Sequence, residues 1–196
     1  MREYILFLLR LTFLADIRGA GLAYGASISH DVESGLLWLR IFKSPDSELA
    51  WSAAKTLIDD IVSGKIELDE LTIESAKSSL AYTTASRVAT INDAANASFA
   101  NQVLFGVSQD YGRDMLEKIK PVGRAEILES IQKYIVPLFD PERSIASITT
   151  GKAKADSLAE RFEKRGFQVE RRSFGQDDDD VSESSGGSES DGDSNA

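Results

Sequence analysis

An arginine and a tyrosine six residues apart, Arg18 and Tyr24, lie in the stretch Ile-Arg-Gly-Ala-Gly-Leu-Ala-Tyr-Gly at residues 17–25. A guanidinium presents fixed, permanently charged donors and a phenol adds another, here on a glycine-rich backbone that a ligand can approach closely. The plainer alternative is that glycines ahead of a strand mark a turn or bulge, with Arg18 a solvated surface charge. Local physics leaves both open. It does not leave a nucleotide loop: Gly19 and Gly21 begin a G-x-G-x-x-G pattern, but Tyr24 stands at the third glycine. The only Gly-Lys pair, Gly151-Lys152, is followed by Ala153 where a P-loop requires Ser or Thr.

Metal and nucleophile chemistry have little to work with. The chain has one histidine, His30, and no cysteine, so a zinc site would have to be nearly all carboxylate and thiolate chemistry is excluded. His30 and Glu33 have the spacing that opens the inverted zinc motif H-x-x-E-H, yet Ser34 replaces the second histidine. The segment reads as a polar turn, which makes His30 a solvated loop residue. A cysteine-free chain is compatible with a reducing, intracellular location.

Composition bounds the rest. Of 196 residues 42% are hydrophobic, enough for one ordinary core. The net charge of −10 is concentrated at the end: residues 176–196 hold eight acidic groups and no basic one, whereas residues 1–175 hold 22 basic and 24 acidic groups. A near-neutral folded part gives no footprint for nucleic acid. Three parts are expected: an apolar segment 1–16 of uncertain structure, an α+β domain over 17–175, and a disordered acidic Ser/Gly-rich tail over 176–196. Residues 4–15 are apolar but interrupted by Arg10, and the unbroken run 4–9 is far shorter than the ~20 residues of a membrane span. That segment is expected to be a buried helix or strand, neither a span nor a signal peptide.

The elements that must position Arg18 and Tyr24 follow in order. Residues 26–29 and 36–43 read as two strands joined by a polar loop over 30–35. Ser44-Pro45-Asp46-Ser47 then supplies a cap for a helix with Leu49, Ala53, Ala54, Leu57, Ile58, Ile61 and Val62 on its apolar face. Asp69 opens a second long helix through Leu71, Ile73, Ala76 and Leu80, and Asn92-Asp93 restarts it towards Leu104. A short helix from Asp110 to Pro121 and another over 123–138 come next, then a buried strand at 144–150, a helix over 152–165 and a final strand at 167–173. The fold class is α+β, one antiparallel or mixed sheet with several long helices packed on one face.

From residue 17 to about residue 174 the chain resembles the C-terminal domain of the pitrilysin family of inverted-zincin metallopeptidases, the presequence-protease-like branch above all. Ile-Arg-Gly-x-Gly-Leu-Ala-Tyr-Gly, then Ser-Gly-Leu-Leu and Lys-Ser-Pro-Asp, carry the likeness. The resemblance implies a clamshell of four related α+β domains around an unfolded peptide, with zinc held by the N-terminal half. It also implies that Arg18 and Tyr24 hydrogen-bond the substrate backbone or the developing oxyanion near that zinc. This chain has no H-x-x-E-H and no N-terminal half, and residues 1–16 are too few for the strand and helix that usually precede the Arg-Tyr hairpin. It is therefore expected to be an incomplete domain: a fragment, a mispredicted gene product or a surviving remnant.

The expected function is thus the substrate-binding C-terminal part of a zinc metalloendopeptidase, without catalytic residues, metal or cofactor of its own. The missing N-terminal half and an unfolded peptide are its expected partners, with no nucleic acid and no membrane span, and its expected location is intracellular, the cytoplasm ahead of the mitochondrion. The alternative is a non-catalytic structural or interaction module that kept the peptidase-family fold.

Overall fold

A computed structural model describes residues 17–31 and 34–173. The expectations for residues 1–16, for Glu33 and for the acidic tail fall outside the described residues. Two strands, β1 (Gly25–His30) and β2 (Leu37–Phe42), form an antiparallel ladder with Gly25 opposite Phe42 and His30 opposite Leu37. Alternation sorts their side chains. Ala26 and Ile28 of β1 are buried, Leu37, Leu39 and Ile41 of β2 pack on the core, and Trp38 and Phe42 stay exposed on the other face.

Beneath the hairpin lies α1 (Ser47–Val62), capped as expected by Asp46, whose carboxylate accepts from the Leu49 N–H at 3.0 Å. It ends at Gly64, whose φ of 77° favours glycine. Its buried face is Ala50, Trp51, Ala54, Leu57, Ile58 and Ile61 together with Glu48, while Leu49, expected on the stripe, is exposed. α2 (Glu70–Ser86) is capped by Asp69 and buries Ile73, Ala76 and Leu80, leaving Leu71 in solvent. Thr90 caps α3 (Ile91–Phe99), which a wide π turn extends over Ala100–Leu104; neither piece buries a residue.

α4 (Tyr111–Ile119) packs on α2 through Met115 and Ile119. The helix expected over 123–138 is three pieces: α5 (Arg124–Ser130), a π turn at Ile131–Ile135 and a 3₁₀ turn at Val136–Phe139 that contains Pro137. Ile127, Ile131 and Ile135, four residues apart, are fully buried, and the π turn that carries the last two packs on α1. α6 (Lys152–Lys164) closes the domain on α1 through Leu158, Ala159 and Phe162.

The α+β class holds, but among the described residues the two further strands expected at its end form no ladder. Residues 144–150 and 167–173 run without turn or bend, yet pair with nothing among the described residues. Nor is 144–150 buried, since Ile145 is 98% exposed. Alternating side chains specify a strand, but the ladder needs a neighbour at ~4.8 Å that the described residues do not supply.

Candidate functional site

Ile17 anchors the Gly-rich connection by burying its side chain in the core, and its carbonyl accepts from the Leu22 N–H at 3.1 Å. The Gly21 N–H donates to the Arg18 carbonyl at 3.0 Å, closing a turn that puts Gly21 at φ 69°, where a side chain would be strained. The Ser44 hydroxyl donates to the Leu22 carbonyl at 2.6 Å, and the Tyr24 N–H to the Lys43 carbonyl at 3.1 Å, one residue beyond the ladder. Lys43 is the described non-glycine residue with positive φ, 50°, a sparsely populated conformation held here by those flanking bonds.

This frame turns Leu22 and Ala23 inward and leaves Arg18 and Tyr24 on the surface, Tyr24 68% exposed. The phenol ring meets Phe42 edge-on at 6.4 Å and 74°, and the Lys43 ammonium lies 5.8 Å from the Tyr24 ring and 5.4 Å from Phe42. Arg40 completes the patch 5.5 Å from Phe42. Arg18 and Tyr24 make no side-chain hydrogen bond or ion pair with the described residues. A Cβ added at Gly19 or Gly25 would meet nothing within 4 Å, so packing does not require glycine there. The patch presents cations and a phenol to solvent and can donate to carbonyl, carboxylate or oxyanion oxygens.

His30 is not the loop residue expected; it ends β1, opposite Leu37, and is half-buried. Among the described residues no group of three or more His, Cys, Asp or Glu side chains could hold a metal ion. Nor is any helix there long and apolar enough to cross a membrane.

Sequence reasoning missed an ionic cluster between α1 and α6. Glu48, 6% exposed, is held by Ser52 at 2.7 Å, by Arg165 at 2.7 Å and by Arg161, which also reaches Asp46 at 2.7 Å. Arg161 and Arg165 share a helical face at i and i+4, the one signal the sequence offered; their partners lie more than 110 residues away. Hydrogen bonds from Arg161 and then the Leu49 N–H hold Asp46 below the usual carboxylate range. Burial alone would raise Glu48, but Ser52 and the two arginines outweigh it and its carboxyl ends lowered. Both folded pKa values lie below the unfolded ones, so this stabilisation is complete above pH ~5 and is lost as pH falls through the folded values. Glu48→Ala is expected to cost about 2 kcal/mol at pH 7, less than the 3–5 kcal/mol of a fully buried pair because both arginines remain partly in water. Denaturant melts at pH 7 and pH 3 check this: the gap between wild type and variant should shrink at pH 3, and an equal gap at both would show that lost packing is the cause.

No family model matches the chain, and no solved structure matches it. It is similar to an uncharacterized protein of Schizosaccharomyces pombe, 34% identical over 160 residues that cover 80% of this chain and 15% of that protein. An uncharacterized protein of Saccharomyces cerevisiae is 32% identical over 173 residues, 86% of this chain and 16% of that protein. The chain thus spans about a sixth of the length of the curated relatives it matches.

Proposed function

We propose that this chain is the C-terminal substrate-binding part of a pitrilysin-type zinc metalloendopeptidase, and that Arg18 and Tyr24 are its contacts with the peptide. The observation that carries the reading is that both are exposed on the one Gly-rich connection. Both side chains are exposed and make no side-chain hydrogen bond or ion pair with the described residues, beside Gly19 and Gly25, which packing leaves free. In this role the Arg18 guanidinium and the Tyr24 phenol donate to a substrate carbonyl or to the oxyanion that develops from it. The described residues do not fit zinc, so in this reading the metal and the group that activates water belong to another part of a longer protein. The relatives' length supports this, because the chain matches only 15% and 16% of them and leaves room for a metal-bearing part elsewhere.

The second reading, a non-catalytic module on the same fold, is favoured by α3 and the π turn after it, where Ile91, Phe99, Val103 and Leu104 are exposed and nothing is buried. Such a surface suits docking on another domain without chemistry. A chimera in which this chain replaces the matching segment of the Saccharomyces cerevisiae relative separates the two. On the peptidase reading the chimera cleaves unfolded peptides and this chain alone does not; on the other neither does.

A further inference from the structure

The hairpin turns one face away from the core. In its register Gly25 stands opposite Phe42, Ser27 opposite Arg40 and Ser29 opposite Trp38, so a row of small residues runs beside two aromatic rings with a guanidinium between them. Trp38, Arg40 and Phe42 are all exposed. Tyr24 and Lys43 continue this face at the end away from the hairpin loop, where the Lys43 ammonium and the Arg40 guanidinium lie 5.4 and 5.5 Å from the one Phe42 ring. Arg18 and Lys43 are exposed as well, and residues 17–30 and 34–45 contain no aspartate or glutamate. The next carboxylate along the chain, Asp46, is held by Arg161 at 2.7 Å. Positive charge and aromatic surface therefore stand together on two strands that carry no acid of their own.

We propose that this face selects an extended peptide segment in which an acidic side chain lies two residues from an apolar or aromatic one. Spacing carries the choice. Alternate residues of an extended chain recur on one side every ~6.8 Å, the interval at which Trp38, Arg40 and Phe42 follow one another, so an apolar–acidic–apolar series at every second residue meets all three in register. The carboxylate accepts from the Arg40 fork and the Lys43 ammonium, while the flanking apolar side chains cover Trp38 and Phe42. A nucleic acid fits less well, because its phosphates call for cations spread along a strand, whereas residues 1–175 are nearly neutral with 22 basic and 24 acidic groups. This selectivity extends the proposed contact at Arg18 and Tyr24 along β2, and it rests on that reading for the ligand being a peptide.

Amide-resolved NMR titration of the full 196-residue chain tests it, with the blocked peptide Thr-Val-Thr-Glu-Thr-Val-Thr and its counterparts carrying Gln or Lys in place of Glu. The Glu peptide is expected to bind more tightly than the Gln peptide by a factor on the order of five, the size that two or three exposed ion pairs supply. The Lys peptide should bind most weakly, and the preference should fade at about 0.5 M salt, where exposed charges are screened. Shifts should centre on residues 24–29 and 38–43. Arg40→Gln with Lys43→Asn should abolish the preference at an unchanged melting temperature, since both positions are exposed and asparagine tolerates the positive φ of Lys43; Arg40→Gln alone should reduce it. Trp38→Thr should instead weaken the Glu and Gln peptides alike. No binding, equal affinity for Glu and Gln, a preference for Lys, shifts away from the hairpin, or tighter binding of single-stranded DNA than of the Glu peptide would overturn the proposal. So would binding that appears only when the eight acidic groups of residues 176–196 are replaced by their amides, which would assign the face to the chain's own acidic segment. Neither zinc nor cleavage enters this measurement, so a chimera that fails to cleave refutes the peptidase reading alone, and equal Glu and Gln affinities refute the acid preference alone.

Discussion

Tyr24→Phe in the chimera is expected to lower peptide turnover roughly 10²–10³-fold, the usual cost of removing a preorganised donor to a developing oxyanion. The substitution deletes one hydroxyl and keeps the ring that meets Phe42 edge-on at 6.4 Å. Exposed substitutions usually change stability by under about 0.5 kcal/mol, so the melting temperature should not move. A loss confined to the transition state lowers kcat and kcat/KM together, whereas a group that only holds the substrate backbone raises KM. Tyr24 is expected to show the first pattern or a mixture. Arg18→Ala, which removes a charged donor, should lose at least as much in kcat/KM, with Arg18→Lys restoring only part because an ammonium lacks the planar fork. Unchanged kinetics in both variants would return residues 17–25 to a glycine-rich turn ahead of a hairpin.

The largest stability effect is expected at Trp51. Its indole lies 5.6 Å from the Phe139 ring, 5.9 Å from Phe162 and 6.0 Å from Phe167, with the Arg165 guanidinium 5.6 Å from its centroid. Four pieces of chain, α1, the 3₁₀ turn, α6 and the straight segment after it, thus meet on one side chain. Trp51→Ala removes the centre of that cluster and should cost about 3–5 kcal/mol, lowering the melting temperature on the order of 10 °C. Ile91→Ala, at a position 92% exposed, serves as the comparison and should change stability by less than about 0.5 kcal/mol. A Trp51 effect under about 1 kcal/mol would mean that the cluster tolerates a void, contrary to how tightly such interiors pack.

Local signals were legible where local physics decides. Asp46 and Asp69 cap the helices they were expected to cap, and Ile127, Ile131 and Ile135 are buried because a four-residue repeat keeps them on one side of the segment. What failed needed information from far along the chain. Leu49 and Leu71 are apolar and correctly spaced, yet whether a stripe's margin is covered depends on which element lands beside it. Glu48, polar and in a first helical turn, is buried because Arg161 and Arg165 arrive from α6. Residues 144–150 and 167–173 were expected as strands, and no described residue lies beside them to complete a ladder. Arg18 and Tyr24 were legible as residue types, but their exposure, and the open space at Gly19 and Gly25, came only with the fold.

Zinc content and peptide hydrolysis, measured together on the chimera and on this chain alone, test the central claim most directly. Expected are about one zinc per chimera molecule, peptide cleavage that stops on chelation and returns with added zinc, and neither metal nor cleavage in the isolated chain. A purified, folded chimera that holds no zinc and cleaves no unfolded peptide would contradict it.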